Sequence, residues 1–415
     1  MRRCRWLPWW RRQMSELDGP MDAEQTTTTL SVQHLAEERG SAERAQSDEF
    51  PHASGSREAQ LSDGEMASEV KSDDTLERDD ESQDRHQLGA LSLGSVVEPV
   101  WVLPSATDHV VATAGFYNGS ALVGDPASMQ RIVPNVLNSV GGGHHPDTVV
   151  DAGRVSDDLF VGAASVRGAS HHYAQTPRQD AYALIVSGHW VIAAIADGVG
   201  AARYSHQAAT WAVTAAVQET ERELARNTVS IDWEGVARRT RERVQHNSTR
   251  VIMHGTEGPN PSDRALASQM ATTCDVLVAP TTRSLDGVLP VTWVRISGDS
   301  SLFVLDPVRG LGTVHQGKCL DSALIDNSVI PLPLDPGPPI VRSYNLEPDQ
   351  TVILCTDGIG EVIETGESPV ARYLYERWSK PRSKLELLQS MSFVNKNADD
   401  DRTAVILWGT HASNP

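Results

Sequence analysis

Acidic residues lie where the apolar runs of this sequence begin or end. Asp180 and the pair Asp400 and Asp401 each come just before an apolar, β-branched run, whereas Asp197 and Asp357 each follow one and precede a glycine. A single Asp-Gly pair after a strand is usually a turn, because glycine permits positive φ and aspartate hydrogen-bonds its own backbone. Two such pairs, with aspartates beside two further strands, are more specific and indicate a cluster of carboxylates.

A cluster of this kind predicts a divalent metal site. Mg²⁺ and Mn²⁺ prefer oxygen ligands, and strand ends are rigid anchors for such ligands. Carboxylates that converge without a neighbouring lysine or arginine repel one another, so a metal ion is their natural counterion.

The elements that must position these aspartates follow a strand-rich, helical, strand-rich order. The hydrophobic pattern predicts a hairpin over 181–186 and 190–196, because the two runs flank a Ser-Gly-His turn. Spacings of three and four residues predict amphipathic helices. Runs of strands with paired helices between them indicate an α+β layered domain. The other predicted strands are 159–166, 272–279, 291–296, 301–306, 351–355 and 403–408, and the helices are 205–225, 234–254, 368–379 and 383–392.

The chain of 415 residues carries a net charge of −19, and residues 15–90 hold most of it, with six basic and twenty acidic residues. That segment cannot bury enough apolar surface to order itself, so 1–90 is predicted to be a disordered acidic N-terminal region. Its role is either that of a solvated spacer, which we favour, or that of an interaction tail. Residues 91–154 are predicted to be a linker or a partly docked extension, and 155–411 to be the folded domain.

Composition also restricts the partners and the location. An acidic balance argues against a nucleic-acid-binding surface, which normally needs a basic patch. The longest strongly apolar run, 190–196, is far shorter than the ~20 residues that span a bilayer. The four cysteines are far apart and form no C-x-x-C motif, which suits a reducing compartment. We therefore expect a cytoplasmic protein that binds neither nucleic acid nor membrane.

Six short motifs, in order, resemble those of the metal-dependent type 2C protein phosphatases, the PPM family, and most closely its bacterial branch. Each motif is common alone, but the ordered set is specific and covers about residues 159–409. The motifs are Ser170-His171, Gln179-Asp180-Ala181, Ala196-Asp197-Gly198-Val199-Gly200, Ser297-Gly298-Asp299-Ser300, Cys355-Thr356-Asp357-Gly358-Ile359-Gly360-Glu361 and Asp400-Asp401-Arg402-Thr403.

The resemblance implies a four-layer α/β/β/α sandwich, in which two antiparallel sheets are flanked by helices and the metal centre lies at one end. It implies two Mn²⁺ or Mg²⁺ ions, and a third, weaker site that many members have. Asp197 would bridge two ions, the Gly198 carbonyl would bind one of them, and Asp357 and Asp400 would bind the other. Asp180 would act through metal-bound water. Asp299 would belong to the third site, and Thr273 lies near the expected Gly-Thr-Thr position.

The sequence departs from the family pattern at two positions. Some members have a histidine directly after the Asp-Gly pair to protonate the leaving group, and here that residue is Val199. Members usually have a phosphate-binding arginine five residues before the first aspartate, and here that residue is Gln175. Arg178 and Arg167 are candidate substitutes. We prefer Arg178, because residues two apart share a face of an extended segment. His171 is either a second phosphate-binding candidate or a hydrogen-bonded turn residue.

The predicted function is that of a serine/threonine protein phosphatase. Two metal ions lower the pKa of a bridging water and hold the phosphoryl group for in-line attack. The phosphoryl group would pass directly to this metal-activated water, with no cysteine or serine nucleophile. The predicted partner is a phosphorylated protein, such as a target of a cognate Ser/Thr kinase, and the phosphatase would act either on many proteins or on one dedicated regulator. The alternative is a pseudophosphatase that uses the same fold to bind a partner, which the intact carboxylate set disfavours.

Overall fold

The computed structural model of the chain describes residues 95–102, 116–117, 120–125, 145–227, 230–254, 258–315, 317, 329–363 and 368–410. The predicted acidic region, 1–90, lies outside these residues, so its disorder stays a prediction.

The described residues form fourteen strands and seven helices. The strands are β1 (Val100–Val102), β2 (Phe116–Tyr117), β3 (Ser120–Ala121), β4 (Thr148–Arg154), β5 (Leu159–Val166), β6 (Ala181–Ser187), β7 (Trp190–Ala196), β8 (Cys274–Pro280), β9 (Leu289–Ser297), β10 (Ser301–Asp306), β11 (Gly310–His315), β12 (Ile340–Leu346), β13 (Thr351–Cys355) and β14 (Arg402–Gly409). The helices are α1 (Ala169–Ala174), α2 (Ser205–Arg226), α3 (Trp233–Ile252), α4 (Asp263–Ala267), α5 (Asp357–Ile363), α6 (Pro369–Trp378) and α7 (Lys384–Met391).

Two antiparallel sheets form the centre of the molecule. The seven-stranded sheet has the order β1-β11-β10-β13-β14-β5-β4, and the five-stranded sheet has the order β12-β9-β8-β7-β6. Strands β2 and β3 pair separately. The predicted hairpin is confirmed, with Ser187 paired to Trp190 across a two-residue turn that contains Gly188 at φ +55°.

The face-to-face packing of the two sheets follows from side-chain alternation along the strands. In β7 every residue is apolar and buried. Val191, Ala193 and Ile195 enter the core between the sheets, together with residues such as Leu354 and Val405 from the opposite sheet. The alternate residues of β7 face the helices, because successive side chains of a strand point to opposite sides.

Helices cover the outer faces and complete the four layers. Helices α2 and α3 pack on the five-stranded sheet, with Ala208, Ala212 and Ala216 of α2 buried at four-residue spacing. Helices α5, α6 and α7 pack on the seven-stranded sheet. The predicted α/β/β/α sandwich is confirmed. None of the helices within the described residues has the length and apolarity needed to cross a bilayer.

The sandwich begins earlier in the chain than predicted. Strand β4 pairs along its whole length with β5, so 148–154 belongs to the seven-stranded sheet. Residues 95–102 also contribute to both sheets. Strand β4 therefore lies before the predicted domain start at 155. The segment 91–154, which is predicted to be a linker or a partly docked extension, contributes these strands through backbone pairing with the sheets.

Residues 95–102, which we call the N-terminal strap, cover the edges of both sheets. The N–H of Val97 donates to the Ser343 carbonyl on edge strand β12 (3.1 Å). Strand β1 then pairs with β11 at the edge of the other sheet, and the Arg309 guanidinium stacks on the Trp101 ring. An uncovered edge strand presents unpaired backbone groups and invites aggregation, so the strap protects two edges at once.

We expect deletion of residues 1–94 to leave thermal stability nearly unchanged and deletion of 1–102 to lower it. The longer deletion removes the β1–β11 ladder and the packing of Trp101, which together stabilise the fold by ~2–3 kcal/mol. The expected shift in Tm is roughly 5–10 °C. Thermal unfolding of the two truncated proteins side by side measures it, and equal melting temperatures would show that the strap does not contribute.

Candidate metal centre

The strand connections bring the four predicted aspartates to one end of the sandwich. Asp180 precedes β6 and Asp197 follows β7, which are neighbours in the five-stranded sheet. Asp357 follows β13 and Asp400 precedes β14, which are neighbours in the seven-stranded sheet. Neighbouring antiparallel strands place the end of one beside the start of the next. The charges of Asp357, Asp180 and Asp400 all act on Asp197, so the four carboxylates form one cluster.

Burial and mutual repulsion disfavour the charged forms of this cluster. Burial, and then the charges of Asp401 and Asp400, raise the pKa of Asp180 to about 8. Burial, and then the charge of Asp357, raise the pKa of Asp197 well above its usual range. A carboxylate in water ionises near pH 4. The cluster therefore needs either protons or a cation to balance its charge at neutral pH.

The donor set fits a divalent metal ion of the Mg²⁺ or Mn²⁺ type. All four side chains offer carboxylate oxygens, which such ions prefer. A cation among them would convert the repulsion that raises these pKa values into attraction. The residues that would hold it are Asp180, Asp197, Asp357 and Asp400, with the Gly198 carbonyl beside them.

Two threonines before β8 hold the main chain of Asp197. The Asp197 N–H donates to the Thr273 hydroxyl (2.8 Å), and the Asp197 carbonyl accepts from the Thr273 N–H (2.8 Å) and the Thr272 hydroxyl (2.9 Å). Gly198 then forms an isolated bridge with Thr272. A Cβ atom on Gly198 would lie 2.8 Å from the Gln179 carbonyl oxygen, so glycine permits this close approach.

A threonine hydroxyl orients Asp180. The Thr356 hydroxyl donates to the Asp180 carboxylate (2.7 Å) and accepts from the Thr403 N–H (3.1 Å). Thr356 directly precedes Asp357, so one side chain links the start of β6, the end of β13 and the start of β14. Its hydrogen bond favours the charged form of Asp180 against burial.

Asp401, beside the predicted ligand Asp400, is buried and acts as a tie. Its carboxylate accepts from the N–H groups of Gly168 (2.7 Å), Gln179 and Asp180 (3.3 Å). It thereby joins the end of β5 to the segment that carries Asp180. Asp400, in contrast, is half-exposed, with 55% of its side-chain surface accessible. The adjacent aspartates therefore have different roles: Asp401 holds backbone segments inside the protein, and Asp400 faces the site.

Two glycines allow the backbone to converge at the Asp400–Asp401 pair. A Cβ on Gly168 would lie 2.2 Å from the Asp400 carbonyl carbon, and one on Gly358 would lie 2.0 Å from the Asp401 carbonyl oxygen. Real Cβ atoms do not approach backbone so closely. Gly168 and Gly358 therefore let the start of α1 and the start of α5 close on this pair from two sides.

His171 contacts the metal-ligand candidates directly. Its Nε2 lies 3.1 Å from the Asp400 carboxylate and its Nδ1 lies 3.1 Å from the Pro177 carbonyl. Burial lowers the pKa of His171, but the hydrogen bond to Asp400 and the charges of Asp401 and Asp400 outweigh it and raise the pKa to about 9. Ligand atoms of His171, Asp400 and Asp401 all lie within 4.8 Å of one another, which places His171 at the edge of the carboxylate cluster.

Arg178 lies beside the cluster, and its guanidinium binds protein groups. It donates to the Pro146 carbonyl (3.2 Å), the Ser165 hydroxyl (2.6 Å) and the Asp180 carbonyl. Arg178 is thus not a solvated loop residue, and its predicted phosphate-binding role stays a prediction.

Three further residues bear on the departures from the family pattern: the candidate substitute Arg167, and Gln175 and Val199, which occupy the two departing positions. Arg167 has a fully buried side chain that donates to the His171 carbonyl (2.9 Å). Gln175 ends α1 at φ 56°, and the Val199 N–H donates to the Ala271 carbonyl (3.0 Å).

The sixth predicted ligand, Asp299, lies in the turn between β9 and β10. Its charge contributes to the raised pKa of Asp197, so it belongs to the same electrostatic cluster. The structure therefore brings together every aspartate that the sequence singled out. It also gives Asp401, which the sequence analysis placed among the clustered carboxylates, a separate role, and it gives Thr356 a role that sequence reasoning missed, because both roles depend on burial.

The raised pKa values predict how the metal-free protein responds to pH. Asp180 keeps its proton up to about pH 8 in the folded chain but ionises near pH 4 when unfolded. Unfolding therefore releases a proton between these values, and the free energy of unfolding falls as the pH rises. We expect Tm in excess EDTA to decrease from pH 5 to pH 8, and Asp180→Asn to make this decrease shallower. Parallel Tm-against-pH curves for the two proteins would contradict the assignment.

Comparison with known proteins gives a family and a set of similar folds. The family model described as "Protein phosphatase 2C" matches residues 167–391, more than half of the chain. No curated protein sequence matches. The structures of PppA from Pseudomonas aeruginosa (14% identity, TM-score 0.41) and of the phosphatase MsPP from Mycobacterium smegmatis (15%, 0.38) are similar. Each alignment covers 61% of this chain, with 98% of PppA and 99% of MsPP.

The match runs from just after β5 to the end of α7 and includes Asp180, Asp197 and Asp357, whereas Asp400 and β14 lie beyond it. The extent of the family match decides the assignment, and the chain belongs to the protein phosphatase 2C family.

Proposed function

We propose that the chain is a metal-dependent phosphatase that hydrolyses phosphoserine and phosphothreonine in a protein substrate. The observation that carries the proposal is the convergence of Asp180, Asp197, Asp357 and Asp400 at one end of the sandwich. The pKa values of Asp180 and Asp197 are raised there, and a bound cation would lower them towards their usual range. Membership in the protein phosphatase 2C family supports it.

Each residue of the cluster has a proposed role. Asp197 and the Gly198 carbonyl would hold one ion of a pair, with Asp197 shared between the two, and Asp357 and Asp400 would hold the second. Asp180 would accept hydrogen bonds from water in this centre, and Asp299 would belong to a third, weaker site. Mn²⁺ or Mg²⁺ bound there would acidify water and neutralise the phosphoryl oxygens.

The surrounding residues would keep these ligands in place without themselves reacting. Thr356 orients Asp180 and Thr273 holds the Asp197 backbone. His171 holds the exposed carboxylate of Asp400 from the side of α1. Such pre-positioning matters because a displacement of about 1 Å at a reacting group can lower the rate about 100-fold.

One observation favours a second candidate, a pseudophosphatase that binds a partner. Gln175 stands where family members usually have the phosphate-binding arginine, and it lacks the charged fork that grips a phosphate dianion. The two candidates differ in whether purified protein turns over a phosphate ester when Mn²⁺ is supplied.

We expect hydrolysis of p-nitrophenyl phosphate to require Mn²⁺ or Mg²⁺ and to stop in excess EDTA. Asp197→Ala and Asp357→Ala should each lower kcat more than tenfold, or ~1.4 kcal/mol in the barrier, because each removes a metal ligand. Asp151→Ala is the matched control, since this exposed aspartate on β4 contacts Tyr182 and Lys384 outside the cluster. Full turnover in EDTA would refute metal dependence, and no turnover with either metal would favour the pseudophosphatase.

We expect Arg178→Ala to raise KM for a phosphopeptide several-fold. The predicted phosphate-binding role requires the Arg178 guanidinium to exchange its protein partners for the substrate phosphate. The variant also breaks contacts to Ser165 and Pro146, so its Tm must be measured beside its kinetics. Arg178→Lys keeps the charge and serves as the comparison. A lower Tm with unchanged KM and kcat would assign Arg178 a purely structural role.

A further inference from the structure

The turn that carries Asp299 is held on one side by the support of Asp197. Gly298 adopts φ +131°, which favours glycine, and a Cβ at this position would lie 2.6 Å from Cβ of Thr273. Thr273 in turn binds the Asp197 N–H. The Asp299 turn therefore packs directly against the residue that positions the central aspartate of the cluster.

Arg295 holds the other side of the turn. Its guanidinium donates to the carbonyl of Ser300, the residue that follows Asp299. It also pairs through Nε with the Asp275 carboxylate on β8 (3.3 Å) and through Nη1 with His315 Nε2 at the end of β11 (2.9 Å). One side chain thus connects both sheets to the turn.

The groups around Arg295 are arranged to accept its hydrogen bonds. Burial, and then the charge of Arg295, lower the pKa of His315 to about 4, so its imidazole is neutral and offers a lone pair. Asp275 is fully buried and supplies the opposite charge. The Trp293 ring lies against the guanidinium, 5.0 Å from ring centroid to Cζ.

An irregularity of the sheet aims Arg295 at Asp275. Cys274 pairs with Ser297, but Asp275 pairs with Arg295, so β9 contains one extra residue at this point. Bulges of this kind re-aim a side chain and are frequent beside active sites. A buried ion pair is weak evidence for stability, because the desolvation of both charges offsets their attraction. The pair therefore calls for a role other than stabilising the core.

We propose that Arg295 is a positioning residue that fixes the Ser300 carbonyl and thereby keeps the Asp299 carboxylate beside Asp197, with Asp275 as its buried counterion. This inference rests on the proposed function, in which Asp299 belongs to the third, weakest metal site. Without Arg295, the turn keeps its Gly298 contact but loses its anchor on the β10 side.

The test compares Mn²⁺ binding by calorimetry in the full-length chain, in three variants and in the combination of the first two. Asp299→Ala removes the carboxylate itself. The double variant Asp275→Leu/Arg295→Met removes the anchor while leaving no unpaired buried charge, so the fold should persist. Arg309→Met is the matched control, because Arg309 pairs with Asp306 at the opposite end of β10. Thermal unfolding of each protein accompanies the titration.

We expect Asp299→Ala and the double variant each to weaken the last Mn²⁺-binding step at least tenfold and to leave the tighter steps unchanged. A variant that combines Asp299→Ala with the double variant should weaken that step no further, because Arg295 acts only through Asp299. The control should bind Mn²⁺ as the wild type does. If the double variant binds Mn²⁺ as the wild type does while Asp299→Ala binds it more weakly, the role of Arg295 is overturned but the Asp299 site is not.

Two further outcomes separate this inference from the function on which it rests. A wild-type chain that takes up no Mn²⁺ would refute the proposed function as well, whereas an Asp299→Ala variant with unchanged binding would overturn the positioning role together with the third site. If the double variant fails to fold, Arg295→Lys replaces it. Lysine keeps the pairing with Asp275 but cannot also reach Ser300 and His315, so the last step should weaken by an intermediate factor, and wild-type binding would again overturn the proposal.

Discussion

The structure depends on holding several mutually repelling carboxylates at one desolvated end of a β-sandwich. Asp180, Asp197 and Asp357 approach from different strands, and their shared environment raises the pKa values of the first two. Such an arrangement destabilises the fold unless other contacts offset it. The core between the sheets supplies those contacts, because β7, β8 and β13 are buried along their whole length. The carboxylate cluster is thus electrostatically unfavourable in the absence of a cation, and the buried core behind it holds it in place.

Much of this organisation can be read from the sequence because its signals are local. Asp-Gly pairs after β-branched runs mark Asp197 and Asp357 without reference to any other part of the chain. The hairpin of β6 and β7 is equally local. The N-terminal strap is not, because Val100 pairs with Thr313 and no short-range pattern reveals that partner. The predicted domain start at 155 excluded β4 for another reason: its partner β5 is adjacent in the chain and was predicted, but no residue of β4 is fully buried, so its apolar pattern is weak.

The side chains that support the site escape prediction for a different reason. Asp400 and Asp401 are the same residue type in adjacent positions. Only burial distinguishes the exposed Asp400 from Asp401, which links two backbone segments. The sequence could indicate Arg178 as a phosphate-binding candidate, but not its hydrogen bond to Ser165, which depends on how β5 approaches β6. Arg295 could not be singled out at all, because the register shift that aims it at Asp275 leaves no mark in the composition.

The position of β14 has a consequence for how the protein is made. It is the last strand that the structure describes, yet it lies inside the seven-stranded sheet, between β13 and β5. During synthesis, earlier strands leave the ribosome with a gap in this sheet, and the edges of β13 and β5 stay unpaired until residues 402–409 emerge. Asp400 arrives with the same segment. The segment that completes the sheet thus also completes the acidic centre, so folding and the capacity to bind metal are acquired together.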